Sequence, residues 1–97
     1  MRIYSKSTLK DFWEKHGDAR QPLKTWYAAA KAAVWNSPAD VKQRHPDASI
    51  LRNNRVVFNI KGNEYRLVAA VHYDAQRLFI RFVGTHKDYD RIDAETI

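Results

Sequence analysis

Three runs of alternating apolar and polar residues between Val56 and Tyr89 constrain the fold of this chain more than any other feature. The runs RVVFNI, YRLVAAVHY and RLFIRFVGT are joined by the short turn-forming sequences KGNE and DAQ. Strands joined by such short connections run antiparallel, because a tight turn reverses the chain. The pattern therefore predicts a three-stranded antiparallel meander.

The alternation also predicts which side chains share a face of this sheet, since successive strand residues point to opposite sides. We expect Asn59, Lys61, Arg66 and Arg81 on one face, opposite the core. The other face is almost purely apolar and comprises Val56, Phe58, Ile60, Tyr65, Leu67, Ala69, Val71, Leu78, Ile80 and Phe82.

The segments before the meander predict one strand and two or three helices. Met1–Lys6 suits an edge strand, and a capping residue at Ser7 or Thr8 predicts a first helix over Thr8–His16. Pro22 suits the first turn of a second helix, and Ser37 with Pro38 predicts a short third helix to Arg44. The polar segments are expected to be a loop over Asp47–Asn54 and a tail with one helical turn over Asp88–Ile97. This order predicts an α+β fold with helices packed on one sheet face.

Length and composition indicate one domain over residues 1–97, with 44% hydrophobic residues to form a core. The chain has no cysteine, so it forms neither a disulfide framework nor a thiolate zinc site. It lacks the apolar run of about 20 residues that a membrane span needs. MRIYSKS has no signal-peptide core, so we expect a cytoplasmic protein without a membrane partner.

The net charge of +6 favours an anionic partner such as RNA, DNA or an acidic protein. Simple solubility remains the alternative explanation, because the excess of basic residues is spread along the chain.

Histidine is the residue type that most readily transfers protons near neutral pH. The four histidines, His16, His45, His72 and His86, do not have the spacing of a metal motif, so we expect no metal ion and no cofactor. His86 differs from the others because it follows the glycine that ends the last predicted strand. It is the candidate general acid or base.

Arginine within a strand requires water or an anion for its guanidinium group. Arg66 and Arg81 therefore suggest a phosphodiester held by bidentate hydrogen bonds, although solvated side chains on an open sheet face would give the same pattern. Tyr89 is placed to stack on a base or to assist proton transfer.

Taken together, the motifs resemble the HigB-type toxins of bacterial type II toxin–antitoxin systems, within the wider RelE-like group of ribosome-dependent mRNA endonucleases. The resemblance covers nearly the whole chain. Its most specific parts are Phe58-Asn59-Ile60, Gly62-Asn63, Tyr65-Arg66-Leu67-Val68 and Arg81-Phe82-Val83-Gly84-Thr85-His86.

The resemblance implies a RelE-like fold of the microbial-ribonuclease type and implies roles for particular residues. Arg66 matches the strand arginine that supports the scissile phosphate in this group, and His86 stands where RelE itself has an arginine. Asn59 and Lys61 occupy the region of the RelE lysines, so only part of that lysine pattern is present. Tyr89 falls a few residues before the position of the C-terminal tyrosine of RelE. The expected partners are mRNA in the ribosomal A site and a HigA-type helix-turn-helix antitoxin, through which alone the toxin would meet operator DNA.

These inferences combine into one hypothesis, which is metal-independent cleavage of mRNA by attack of a 2′-hydroxyl on the adjacent phosphorus. The expected catalytic residues are His86, Arg66, Arg81, Lys61 and Tyr89, and the expected substrate-binding residues are Asn59, Asn63 and Lys87. Asn63 is equally suited to shaping its turn. Two other classes of function fit the same basic surface: a non-catalytic RNA- or ribosome-binding module, and a domain that binds an acidic protein.

Overall fold

The computed structural model describes residues 1–97 as a five-stranded sheet with its first three helices packed on one face and a short fourth helix on the other. The strand order across the sheet is β1-β5-β4-β3-β2. The elements in chain order are β1 Arg2–Tyr4, α1 Lys6–Lys15, a 3₁₀ turn Gly17–Ala19, α2 Arg20–Ala32, α3 Pro38–Arg44, β2 Ser49–Ile50, β3 Arg55–Ile60, β4 Tyr65–His72, β5 Arg77–Thr85 and α4 His86–Tyr89. The α+β class is confirmed. None of the helices is long and apolar enough to cross a membrane.

The predicted meander is confirmed, because β3, β4 and β5 pair antiparallel in sequence order. The N-terminal strand β1 joins the sheet as an edge strand and runs parallel to β5. The expected loop over Asp47–Asn54 is partly wrong, since Ser49 and Ile50 pair antiparallel with β3. Both residues are exposed, so this strand shows no apolar alternation from which it could be recognised.

Helix α3 spans Pro38–Arg44 as predicted, whereas the ends of the first two helices differ from the prediction by a few residues. Helix α1 begins at Lys6, after Ser5 adopts a left-handed conformation with φ 71°, so Ser7 and Thr8 do not cap it. Helix α2 ends at Ala32, a few residues before Trp35-Asn36-Ser37, the segment that the sequence indicates as its end. The chain turns extended there, and Trp35 enters the core with a relative exposure of 3%, beside Phe58.

A β-bulge in β5 changes the predicted faces of the sheet. Val68 pairs with Phe82 and Ala69 pairs with Ile80, so Arg81 is the extra residue between them. A bulge inserts one residue without a partner, and the alternation is reversed beyond it. The expectation for Phe82 is therefore wrong, because it lies on the face opposite the helices.

The C-terminal tail covers part of that opposite face, which the alternation predicted to be open. Ala94 is buried against Val57 and Val68, and Ile92 and Ile97 pack beside them. The tail is also anchored by hydrogen bonds: Arg55 Nε donates to the main-chain oxygen of Ile97 at 2.9 Å. Because the tail follows α4 directly, this packing holds α4 at the end of β5.

Candidate active site

Arg66 is the central residue of the candidate site. It lies on β4 between Asn59 of β3 and Gly84 of β5, on the face opposite the helices. Gly84 leaves no room for a side chain, since a Cβ there would lie 2.5 Å from Phe82 Cζ and 3.2 Å from Asp88 Cβ. This close approach lets α4 lie directly beside Arg66.

Three side chains surround the half-buried guanidinium of Arg66. Its Nη2 donates to Asn63 Oδ1 at 3.0 Å and lies 2.9 Å from His86 Nε2. Its Cζ lies 5.1 Å from the ring centre of Tyr89, which is a cation–π contact. Its Nε is buried without a protein partner. The guanidinium therefore keeps an unused donor beside groups suited to acid–base chemistry.

The contact with Arg66 fixes the tautomer of His86. A guanidinium can only donate hydrogen bonds, so His86 Nε2 must accept and cannot carry a proton. The proton of the neutral ring is then on Nδ1, which lies 3.5 Å from Asp90 Oδ2. The lone pair of His86 Nε2 is thus taken up by the hydrogen bond from Arg66, and the Nδ1–H faces the carboxylate of Asp90. A histidine whose Nδ1–H faces a carboxylate in this way can act as a general base through Nε2.

Helix α4 brings His86 and Tyr89 to the same side, because residues three apart are neighbours on a helix surface. Thr85 caps this short helix by accepting a hydrogen bond from the main-chain N–H of Asp88 at 3.1 Å. Tyr89 also packs against Phe82, with ring centres 6.5 Å apart. The position of the two candidate proton carriers therefore depends on the packing of α4 and the tail.

Lys61 does not meet Arg66. It has a positive φ of 52°, and its Nζ forms an ion pair of 2.7 Å with Asp18 of the 3₁₀ turn. Tyr65, on the helix side of the sheet, donates to the other oxygen of Asp18 at 2.6 Å. The expectation that Lys61 shares the face of Arg66 is therefore wrong, because the chain leaves the strand geometry at Ile60.

The network around Asp18 has clear electrostatic consequences. Hydrogen bonds from Lys61 and Tyr65 lower the pKa of the Asp18 carboxyl. The hydrogen bond to Asp18 raises the pKa of Lys61 and, with some burial, raises the pKa of Tyr65 to about 12. These residues hold the turn that carries Asn63 against the 3₁₀ turn.

Arg81 lies on the same face as Arg66 but does not contact it. It precedes Gly84 by three residues, a separation of roughly 10 Å along a strand. It lines a shallow groove with His72, Arg77 and Phe79.

The expected substrate-binding residues occupy different places. Asn59 is the cross-strand neighbour of Arg66, and its amide also lies 3.3 Å from Asp47 Oδ2. Asn63 holds Arg66 directly. Lys87 is exposed on α4 and forms no ion pair.

Two carboxylates in these contacts were missing from the sequence-based candidates. Asp90 follows His86 by four residues, which is about one helical turn. This spacing would have predicted their contact if the helix α4 had been recognised in the sequence. Asp18 has no such signal, because it is 43 residues from Lys61 in the chain. No group of three or more His, Asp or Glu side chains is arranged to hold a metal ion.

The family profile and the related proteins that match this chain all belong to one family. The sequence profile of the HigB toxins, described as RelE-like toxic components of toxin–antitoxin systems, matches residues 19–92. The chain is 32% identical over 92 residues to the mRNA interferase toxin HigB of Escherichia coli (strain K12), covering 93% of this chain and 88% of that protein. The mRNA interferase HigB of Shigella flexneri has the same identity and coverage. The mRNA interferase HigB of Escherichia coli O6:H1 is 24% identical over 94 residues, covering 95% and 91% of the two chains.

Proposed function

The chain belongs to the HigB family of RelE-like toxic components of toxin–antitoxin systems, and from this premise we propose that Arg66 and His86 form its catalytic centre for cleaving mRNA. The protein is the toxin of such a system and an mRNA endoribonuclease. Its target is mRNA in the ribosomal A site, and cleavage there stops translation. The contact that supports the centre most strongly is the 2.9 Å distance between Arg66 Nη2 and His86 Nε2.

In the proposed reaction, His86 Nε2 accepts the proton of a ribose 2′-hydroxyl. The 2′ oxygen forms a bond to the adjacent phosphorus, and the bond from phosphorus to the 5′ oxygen breaks. The leaving 5′ oxygen takes a proton, for which the Tyr89 hydroxyl is the candidate donor. The products are a 2′,3′-cyclic phosphate, which water opens to a 3′-phosphate, and a free 5′-hydroxyl. The carboxylate of Asp90 stabilises the positive charge on the His86 ring during this step.

Arg66 changes partners in this scheme. Its Nη2 donates to the lone pair of His86 Nε2 at 2.9 Å, and this nitrogen cannot take a proton while that contact is made. An arriving phosphate attracts the guanidinium, which then donates charge-assisted hydrogen bonds to the phosphate oxygens. This movement frees His86 Nε2 beside the substrate. The same arginine then stabilises the charge that develops on the phosphorane.

The other predicted residues take supporting roles. Asn59 and Asn63 flank Arg66 and are placed to contact the RNA or to guide the guanidinium. Lys61 acts through the turn that it ties to Asp18, and Lys87 adds positive charge beside His86. Metal ions are not required, because the side chains supply the base, the acid and the cation.

The remaining partners follow from the same proposal. A HigA-type antitoxin with a helix-turn-helix domain silences the toxin and carries it to operator DNA. The site of action on ribosomes places the protein in the cytoplasm. The net charge of +6 supports binding to RNA-rich particles.

The test is cleavage of an mRNA by the purified protein, with and without translating ribosomes, followed by analysis of the new RNA ends. We expect cleavage only on ribosomes, with cyclic or 3′-phosphate on one fragment and 5′-hydroxyl on the other. Induction in a bacterium should stop growth, and co-expression of the neighbouring antitoxin gene should restore it. Binding to ribosomes without cleavage by folded protein would support a non-catalytic RNA-binding module and overturn the proposal.

A further inference from the structure

We propose that a second surface of the protein, the arginine strip, binds the single-stranded RNA that flanks the cleaved phosphate. The strip comprises Arg2 and Tyr4 of β1, Arg77, Phe79 and Arg81 of β5, and His72 of β4. This inference extends the proposed function, because it concerns the path of the same substrate beyond Arg66.

The strip alternates rows of basic and aromatic side chains. Arg77 pairs with Arg2 on one side and with His72 on the other, which places three basic groups next to one another across three strands. The next row holds the rings of Tyr4 and Phe79, which are stacked with centres 4.8 Å apart and planes at 14°. Arg81 follows at the bulge. Basic groups on both sides of a stacked pair match the alternating phosphates and bases of a nucleic acid strand.

Folding stability does not explain this arrangement. Like charges placed opposite one another on neighbouring strands destabilise a sheet. Arg2, Arg77 and Arg81 are exposed and form no ion pair with a carboxylate. The groove beside Arg77, Phe79 and Arg81 has a volume of about 270 Å³ and no acidic residue in its lining. The charges therefore lack an anion within the protein itself.

The strip is continuous with the candidate active site. Both lie on the face of the sheet opposite the helices, and both use β5. The tail covers Val57 and Val68, in β3 and β4, but not the strip. Phe79 pairs with Ala70, four residues from Arg66 on β4, so the stacked rings lie roughly 13 Å along the strand from Arg66. Arg81 lies between them and connects the two regions.

Single-stranded RNA fits the strip better than an acidic protein does. An acidic partner would satisfy the arginines but would not require the stacked rings of Tyr4 and Phe79. RNA uses both, because its bases stack on aromatic rings and its phosphates accept bidentate hydrogen bonds from arginine. The proposed active site on the same face acts on RNA, so RNA is also the expected ligand of the strip.

The direct test is binding of a fluorescent single-stranded 2′-O-methyl RNA, which offers no free 2′-hydroxyl and so cannot be cleaved by the proposed reaction. The test protein carries Arg77→Gln with Arg81→Gln. A matched control carries Arg20→Gln with Lys31→Gln, which removes the same charge from the exposed side of α2. Thermal melting of both variants verifies that they remain folded.

We expect the strip variant to bind at least tenfold more weakly than the control at low salt. The slope of log K against log salt concentration should become shallower by about 1.4, since each lost phosphate contact on a single strand contributes about 0.7. Phe79→Leu should weaken binding by roughly 5-fold or more without changing this slope, because it removes stacking and no charge.

Equal binding by the strip variant and the control, or no binding of the RNA by the wild type, would overturn the inference. An unchanged RNA affinity with weakened antitoxin binding would overturn it in favour of an acidic protein partner. The result is independent of catalysis, because the probe is not cleaved. If the wild type cleaves mRNA but the strip variant binds RNA as tightly as the control, the proposed function stands and the inference about the strip fails. If the strip variant binds RNA more weakly but the wild type does not cleave mRNA, the inference about the strip stands and the proposed function fails.

Discussion

Arg66 and His86 share one hydrogen bond, with Nη2 and Nε2 2.9 Å apart, and this contact joins the guanidinium of the central strand to the imidazole at the start of α4. The two residues come from different elements: Arg66 lies in β4, and His86 begins α4 directly after β5. Since Arg66 can only donate, it selects the tautomer that a general base needs. In the proposed mechanism, His86 acts as the base after Arg66 transfers its hydrogen bond to the phosphate.

The first prediction concerns Arg66. Arg66→Ala should reduce kcat for mRNA cleavage by about 10²-fold or more, because it removes donors aimed at the developing phosphorane charge. Arg66→Lys should restore little activity, since a single ammonium cannot form a bidentate contact. Arg20→Gln is the control for loss of positive charge. Cleavage by Arg66→Ala at the wild-type rate would contradict the assignment.

Asp90 should act as a positioning residue through His86. Asp90→Asn removes the carboxylate that faces Nδ1, and we expect a loss of kcat of about tenfold or less, because the pair is exposed to solvent. KM should stay unchanged, since Asp90 lies beyond the histidine from the phosphate. Asp88→Asn, on the same short helix, supplies the matched control. A rise in KM with an unchanged kcat would instead indicate that Asp90 acts on substrate binding.

The Asp18 network should make stability depend on pH at both extremes. The pKa of Asp18 is lowered in the folded protein, so its contribution is complete above the ordinary value of 3.8 and is lost as pH falls through the lower folded value. The difference in unfolding free energy between wild type and Asp18→Asn should therefore shrink below pH 3.8. Urea titrations over a pH series measure this difference, and a constant value across the series would contradict the network.

Tyr65 gives the corresponding prediction at alkaline pH. Its pKa is raised from 10.0 to about 12, so the neutral hydroxyl stabilises the fold below pH 10 and this contribution is lost between those values. Tyr65→Phe should flatten the loss of stability in that range. An equally steep alkaline loss in the variant would show that the hydroxyl of Tyr65 is not responsible.

Gly84 tests whether α4 must lie close to the strand. A Cβ at this position would meet Phe82 Cζ and Asp88 Cβ, so Gly84→Ala should destabilise the protein by about 1–3 kcal/mol, as overpacking does. It should also lower cleavage, because it pushes His86 away from Arg66. Gly17→Ala is the control, since a Cβ there meets nothing within 4 Å. Full stability and full activity of Gly84→Ala would show that the close approach is unimportant.

Much of the fold could be predicted because it is encoded locally. The alternation from Val56 onward specifies β3 to β5, and the Ser37-Pro38 start specifies α3 over Pro38–Arg44. The two residues were each singled out from the sequence, Arg66 as an arginine within a strand and His86 as the histidine just after the last strand, but their contact was not predicted. The family resemblance, now confirmed by the match over residues 19–92, pointed to the same two residues.

The remaining features depend on contacts that a local pattern does not contain. The bulge at Arg81 changes the pairing without changing the composition, so Phe82 was assigned to the wrong face. Lys61 turns toward Asp18, a residue 43 positions away. The tail was expected to be polar, yet the widely spaced Ile92, Ala94 and Ile97 bury part of the sheet.

The most direct measurement is primer extension on an mRNA with translating ribosomes, comparing wild type, His86→Ala and the control Arg20→Gln at equal concentrations. The account predicts ribosome-dependent cleavage by the wild type and the control, and a rate at least about tenfold lower for folded His86→Ala, because general acid–base catalysis contributes roughly 10²–10⁴-fold. Cleavage by His86→Ala at the wild-type rate would contradict the central role of the Arg66–His86 pair.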